Sequence, residues 1–194
     1  MTRLYLIRHP HTRPDPAVPA SQWELSETGE EQVRVLAQAR FWREVAAVYT
    51  SPQPKTKVVG EAVRAAYGLP VHEVAGLDEA ARDRWLEPDA FQAAQRAFYT
   101  ETDRPPVPGW EAADAARIRF GAALDAIFAR HAPSDSLAVV THASVLTLYL
   151  AHLRGEAPSY ADWGAIGFAE VIARDRVSLR PLIPFIAAPY DGLL

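Results

Sequence analysis

A three-layer α/β/α sandwich with a mainly parallel central sheet is the fold this sequence predicts, and three observations predict it. Short apolar runs alternate with stretches of helical periodicity from Leu4 onward, the pattern of parallel strands joined by crossover helices. Chemically unusual polar residues follow directly on several of those runs, at the carboxyl ends where open α/β sheets hold ligands. The 194 residues, 49% apolar and 23% charged, suffice for one well-buried core in one soluble domain.

Taken in order, Leu4 to Ile7 reads as a buried first strand. Thr28 to Arg43 reads as a helix with Val33, Leu36 and Ala37 inward, and Val45 to Tyr49 as the second strand. From Pro54 to Tyr67 the residues Val58, Ala62, Ala65 and Ala66 recur at helical spacing. Pro54 suits a first turn, which has no amide partner to lose, and Gly68 and Pro70 stop that helix. Val71 to Val74 is expected as the third strand and Leu137 to Val140 as the fourth. Between them the interval from Leu86 to Pro108 breaks the rhythm. It holds one short helical pattern at Pro88 to Tyr99 and then a polar, proline-rich stretch. It is expected as a short helical insertion, about residues 86–108, over the active-site edge of a single domain spanning 1–194. Trp110 to His131 is expected as a long helix with Phe120, Leu124, Ile127 and Phe128 on its core face. Ala143 to Leu153 is apolar almost all round, which predicts a buried helix. Ile166 to Ala173 and Val177 to Ile183 predict a closing hairpin around Arg174-Asp175.

Bulk chemistry narrows the function. A net charge of −4 argues against a nucleic-acid surface. No apolar run approaches the roughly 20 residues of a membrane span, and the first one is too short for a signal peptide. There is no cysteine, so disulfides and thiolate metal sites are excluded. A cytoplasmic location is expected.

Arg8 and His9 follow the first strand, Ser51 and Lys55 the second, Glu79 the third, and Thr141-His142 the fourth. Two histidines, two cations and a carboxylate at one sheet edge suit phosphoryl transfer. A neutral His9 can attack phosphorus, while Arg8, Lys55 and a protonated His142 neutralise the equatorial oxygens. Glu79 can protonate the leaving oxygen and then take a proton from water. Nearby cations are expected to hold His9 neutral near pH 7. Plainer readings exist for each. His9 alone would be a capping or surface histidine, Lys55 a solvated first-turn lysine, and Glu79, close to Arg82-Asp83-Arg84, a surface ion-pair partner. His72, His131 and His152 have no companions at useful spacing and are expected to be structural or exposed. The histidines lack a ligand pattern, so no metal and no other cofactor is expected. The five tryptophans are scattered and read mostly as core or loop anchors, with Trp85 and Trp110 expected to wall the pocket.

Six segments, in order, carry a family resemblance. Leu6-Ile7-Arg8-His9-Pro10-His11-Thr12 resembles R-H-G-E-T, and Leu25 to Gln32 resembles L-T-x-x-G-x-x-Q. Tyr49 to Thr56 resembles S-S-P-L-x-R-A, and Leu77-Asp78-Glu79 with Trp85 resembles L-x-E-x-x-x-G-x-W-E-G. Gly109-Trp110-Glu111 with Arg117 resembles G-E-S and its downstream arginine. Val139 to Ala143 resembles V-V-S-H-G. Together they are similar to the histidine phosphatase superfamily, also called phosphoglycerate-mutase-like. The resemblance implies His9 as nucleophile, Glu79 as proton donor, and Arg8, Lys55, His142 and Thr12 as phosphate ligands. The chain departs from the pattern in several places. Pro10 and Ala143 replace glycines, His11 replaces a glutamate, and Lys55 replaces an arginine, giving up a bidentate fork. Asp83 and Leu86 stand where the Gly and Glu around Trp85 would be. Asp15 stands where many members place an asparagine on the phosphate, and its carboxylate is expected to repel substrate. The implied activity is metal-independent hydrolysis of a small phosphorylated substrate through phospho-His9. The alternatives are a phosphoglycerate mutase, disfavoured by the short insertion and the end at Leu194, and a catalytically weak phosphate-binding or regulatory protein. Oligomeric state stays open.

Overall fold

The computed structural model describes residues 2–83 and 85–193. Its strands are β1 (Arg3–Arg8), β2 (Val45–Thr50), β3 (Val71–Glu73), β4 (Ser136–Thr141), β5 (Val171–Asp175) and β6 (Pro181–Ile186). They form one sheet in the order β3-β2-β4-β1-β5-β6. β1 to β4 pair in parallel, β5 pairs antiparallel with β1, and β6 antiparallel with β5. Successive side chains of a strand face opposite ways, so β1 feeds two cores. Leu4 and Leu6 pack with Leu137, Val139, Phe120 and Leu146 on one face. Tyr5 and Ile7 pack with Val48, Val140, Leu36 and Val63 on the other. Full burial of each aliphatic side chain stabilises by about 1.5–3 kcal/mol. Burial on both faces is why β1 reads as an unbroken apolar run.

The helices are α1 (Glu27–Ala37), α2 (Pro54–Tyr67), α3 (Pro88–Thr100), α4 (Ala113–Phe128), α5 (Ala143–Arg154) and α6 (Tyr160–Ala165). Ser26 caps α1 by accepting from the Gly29 amide at 3.1 Å, a contact worth about 1 kcal/mol. α2 begins at Pro54 and ends on Gly68 with φ 68°, as its stop signals predict. The side chain of His142, the N-cap residue, does not cap α5, and that helix ends on Gly155 with φ 69°. Among the described residues no helix is long and apolar enough to cross a membrane.

Three boundaries differ from the sequence reading. The helix expected to run on to Arg43 stops at Ala37, and a separate 3-10 turn follows at Arg40–Glu44. The Trp42 indole donates to the Leu36 carbonyl at 2.7 Å, and the Ala39 amide donates to it at 3.1 Å. That carbonyl is thereby taken from the helical ladder. The long helix starts at Ala113 rather than Trp110, because Trp110 bridges to Arg82 as an isolated β pair. The closing hairpin turns at residues 176–180 rather than at Arg174-Asp175. Asp175 is the last residue of β5, and its Oδ1 accepts from the Ser178 amide and hydroxyl, each at 2.7 Å. Ile166 to Glu170 falls outside β5, and α6, which the sequence reading did not anticipate, comes just before it.

Candidate active site

Sheet register puts the two histidines side by side. Arg8 of β1 pairs with Thr141 of β4, so the next residue of each strand leaves the sheet at the same point. The His9 amide donates to the Thr141 carbonyl at 2.9 Å, and the rings of His9 and His142 lie 5.1 Å apart. Thr50 of β2 pairs with Val140, which brings the Ser51 hydroxyl within 2.8 Å of His142 Nε2. Pro10 has lost an amide but keeps a carbonyl, and that oxygen lies 2.8 Å from His9 Nδ1. A carbonyl accepts only, so Nδ1 carries the proton and Nε2 presents a lone pair.

Around the histidines the charges converge. Arg8 donates to the Ile166 carbonyl, and its guanidinium sits 3.8 Å from the Phe168 ring centre. Lys55 is buried in the first turn of α2, and its Nζ donates to the Ala20 carbonyl at 2.5 Å. Glu79 sits at the amino end of α5. Its oxygens accept from the Ala80, Ser144 and Val145 amides at 2.9, 3.2 and 3.3 Å, a favourable place for a carboxylate. Burial, helped by Lys55 and Arg8, pushes His9 well below the usual histidine range. Burial does the same to His142, with His9 and Lys55 adding to it. Burial also lowers Lys55 to about 8 and Arg8 to about 10, while Glu79 opposes both shifts. His9 is thus neutral at pH 7, as expected. His142 is also neutral, which corrects the expectation of a protonated His142: Asp78, 3.9 Å away, does not offset its complete burial. His142 Nδ1 and Arg8 Nε are buried without a hydrogen-bond partner among the described residues.

Several residues stand elsewhere than the sequence suggested. Asp15 does not face the pocket. It is exposed, and its Oδ1 accepts from the Ala17 amide at 2.8 Å within its own turn. Lys55 is not a solvated lysine, since only 5% of it is exposed. Arg117 pairs with Asp114 at 3.5 Å instead of serving the site; Arg119 does that. It donates to the Gly76, Asp78 and Glu79 carbonyls at 2.9, 3.0 and 3.2 Å and binds Glu111 at 2.7 Å, fixing the turn that presents Glu79. Arg82, hidden in a charged run, donates to the Ser144 hydroxyl at 2.8 Å and lies 3.7 Å from Glu79. Arg84, the end of that run, lies outside the described residues. His11 reaches the Ser26 hydroxyl at 2.7 Å and so ties the loop after β1 to the cap of α1. His131 meets the Tyr49 hydroxyl at 2.7 Å, a structural role.

These groups open into one cavity of about 670 Å³. Arg8, His9, Thr12, Lys55, Glu79 and His142 all line it. So do Trp85 and Trp110, as expected, and Arg82, Trp23 and Trp163, which were not.

A mostly parallel sheet whose central strands end in adjacent histidines beside buried cations is the architecture of a phosphatase. The chain belongs to the histidine phosphatase superfamily (branch 1), whose family model matches residues 4–173. Solved structures agree on the fold. Bacillus stearothermophilus YhfR is 23% identical, with a TM-score of 0.74, and the match covers 97% of this chain and 96% of that one. A phosphoserine phosphatase from Entamoeba histolytica, in complex with 3-phosphoglyceric acid, is 17% identical over 97% of this chain and 98% of that one, TM-score 0.74. A mycobacterial glucosyl-3-phosphoglycerate phosphatase with VO3 is 20% identical over 97% and 100%, TM-score 0.74. No curated protein sequence matches the chain significantly.

Proposed function

We propose that this protein hydrolyses small phosphomonoesters without a metal ion, through a phosphohistidine on His9. The observation that carries the reading is the pairing of a neutral His9, its Nδ1 committed to the Pro10 carbonyl, with His142 only 5.1 Å away between centroids. In the first step, with Glu79 in its protonated form as the second step of each cycle leaves it, the Nε2 lone pair attacks phosphorus, the bond from phosphorus to the ester oxygen breaks, and that oxygen takes the proton of Glu79. In the second, Glu79 takes a proton from water as the water oxygen attacks phosphorus, and the phosphorus–nitrogen bond breaks to restore His9. Arg8 and Lys55 supply charge to the equatorial oxygens, and His142 Nδ1 serves as a neutral donor to them. For that, Nδ1 carries the proton and Nε2 accepts from Ser51. Thr12 lies in the cavity wall as a further ligand.

Asp15, one of the residues that favoured a weakened binding protein, is exposed, bonds within its own turn and does not line the cavity, which supports turnover. The test is p-nitrophenyl phosphate hydrolysis in EDTA by the wild type and by His9→Ala. Wild-type turnover that survives EDTA and falls by at least about 1,000-fold in the variant is expected. Full turnover by His9→Ala would sink the reading.

A further inference from the structure

The cavity has two chemistries. Its cations, Arg8, Lys55 and Arg82, gather about Glu79. Beyond them, apart from Asp83 and the edge where the Arg82 guanidinium lies 4.9 and 5.4 Å from the Trp110 and Phe91 rings, the walls are apolar. One stretch is Pro14, Pro16, Ala17, Val18 and Pro19, and another is Trp85, Leu86, Pro88 and Phe91. Aromatic rings are paired along these walls. Trp23 lies 6.1 Å from Trp85, and Phe91 lies 5.9 Å from Trp110 and 6.4 Å from Trp163. Trp85 is 44% exposed at this cavity. A large indole left half in water gains little from folding and gains most when a ligand covers it. Among the described lining residues no lysine or arginine stands on these two stretches. A carboxylate or a cluster of hydroxyls placed against Trp85 and the proline stretch, out of reach of Arg82, would lose water without a matching partner.

We propose that the leaving group this site accepts is apolar and of aromatic size, so that its substrates are aryl or arylalkyl phosphomonoesters rather than polyol or carboxylated ones. This rests on the phosphatase reading of the same cavity. The phosphoryl group sits among Arg8, Lys55 and His9, and the ester substituent extends toward Trp85, Phe91 and Trp163. A volume of about 670 Å³ leaves room for a bicyclic ring.

Two measurements on the full chain test it. In the first, kcat/KM is compared across alkyl esters of similar intrinsic reactivity: phenylpropyl phosphate, glycerol phosphate, glucose phosphate and phosphoglycerate. Phenylpropyl phosphate is expected to lead by about tenfold or more. Equal or faster turnover of the polar esters overturns the inference and leaves the phosphatase reading standing. Trp85→Ala and Trp163→Ala are each expected to narrow the preference for phenylpropyl over glycerol phosphate by about fivefold. An unchanged preference in both variants also overturns it. In the second, tryptophan fluorescence follows binding of naphthylmethylphosphonate and methylphosphonate, neither of which can be hydrolysed. The naphthyl compound is expected to bind about tenfold tighter, and equal affinities overturn the inference. Tight naphthyl binding with no turnover of any ester would uphold the ligand preference and defeat the hydrolytic reading.

Discussion

Under the proposed mechanism, Lys55 and His9 set the pH range of activity. Burial brings the Lys55 ammonium down to about 8, with Arg82 and Arg8 pushing the same way and Glu79 and Asp78 resisting. As pH rises through that value the free enzyme loses the Lys55 charge, so the proposed phosphate-binding role of Lys55 predicts that kcat/KM falls above about pH 8. Lys55→Arg keeps its charge there and is expected to move the alkaline limb up by about one pH unit or more. Superimposable limbs would mean that Lys55 does not hold the anion. His9 behaves oppositely, because the proposed attack needs it neutral and burial holds it well below the usual histidine range. Its acid limb therefore lies below about pH 6.5. The positions of Lys55, His9 and His142 after their strands were legible in the sequence. The burial that decides their protonation was not, because it comes from chain segments far away. Arg82 and Arg119 were missed for a related reason: nothing local distinguishes a clamp from a solvated cation, whether in the charged run around Arg82 or on the helix that carries both Arg117 and Arg119.

At the scale of elements, the loop after β1 depends on how closely α1 approaches it. A side chain at Gly29 would collide with the His11 carbonyl, and the Ser26 amide donates to that same carbonyl at 3.2 Å. Gly29→Ala is expected to destabilise the fold by about 1–3 kcal/mol and to lower kcat by displacing His9 and Pro10. Urea unfolding with parallel assays checks this, and a variant with wild-type stability and turnover would show that the loop yields freely. Element type was readable wherever periodicity and a stop signal coincided, as at Pro54 and Gly68. It failed where a side chain rewired the backbone. Trp42 takes the Leu36 carbonyl and ends α1 early, and Asp175 captures Ser178 and shifts the hairpin. Such bonds leave no trace in hydrophobic spacing.

The whole molecule stores two neutral histidines in its interior, and this couples stability to pH. The unfolded chain binds a proton at each near pH 6.5, while the folded chain resists doing so at His9 and His142. The stability gained by keeping them neutral is fully present above pH 6.5 and is lost as pH falls. The loss approaches about 1.4 kcal/mol per pH unit for each histidine. Urea midpoints between about pH 7.5 and pH 5.5 measure it. His142→Asn is expected to give a shallower slope than the wild type, and identical slopes would contradict the buried neutral state. The cavity is also a property of the whole fold. The sequence singled out Trp85 and Trp110, but Trp23 and Trp163 come from opposite ends of the chain and meet them only in three dimensions. The central claim is that His9 carries the phosphoryl group, and trapping that intermediate tests it most directly. Enzyme mixed with aryl phosphate and quenched in base within one turnover is expected to yield a peptide phosphorylated on His9, stable in base and labile in acid, and absent from His9→Ala. Rapid turnover with no covalent phosphate, or with phosphate on any other residue, would contradict the account.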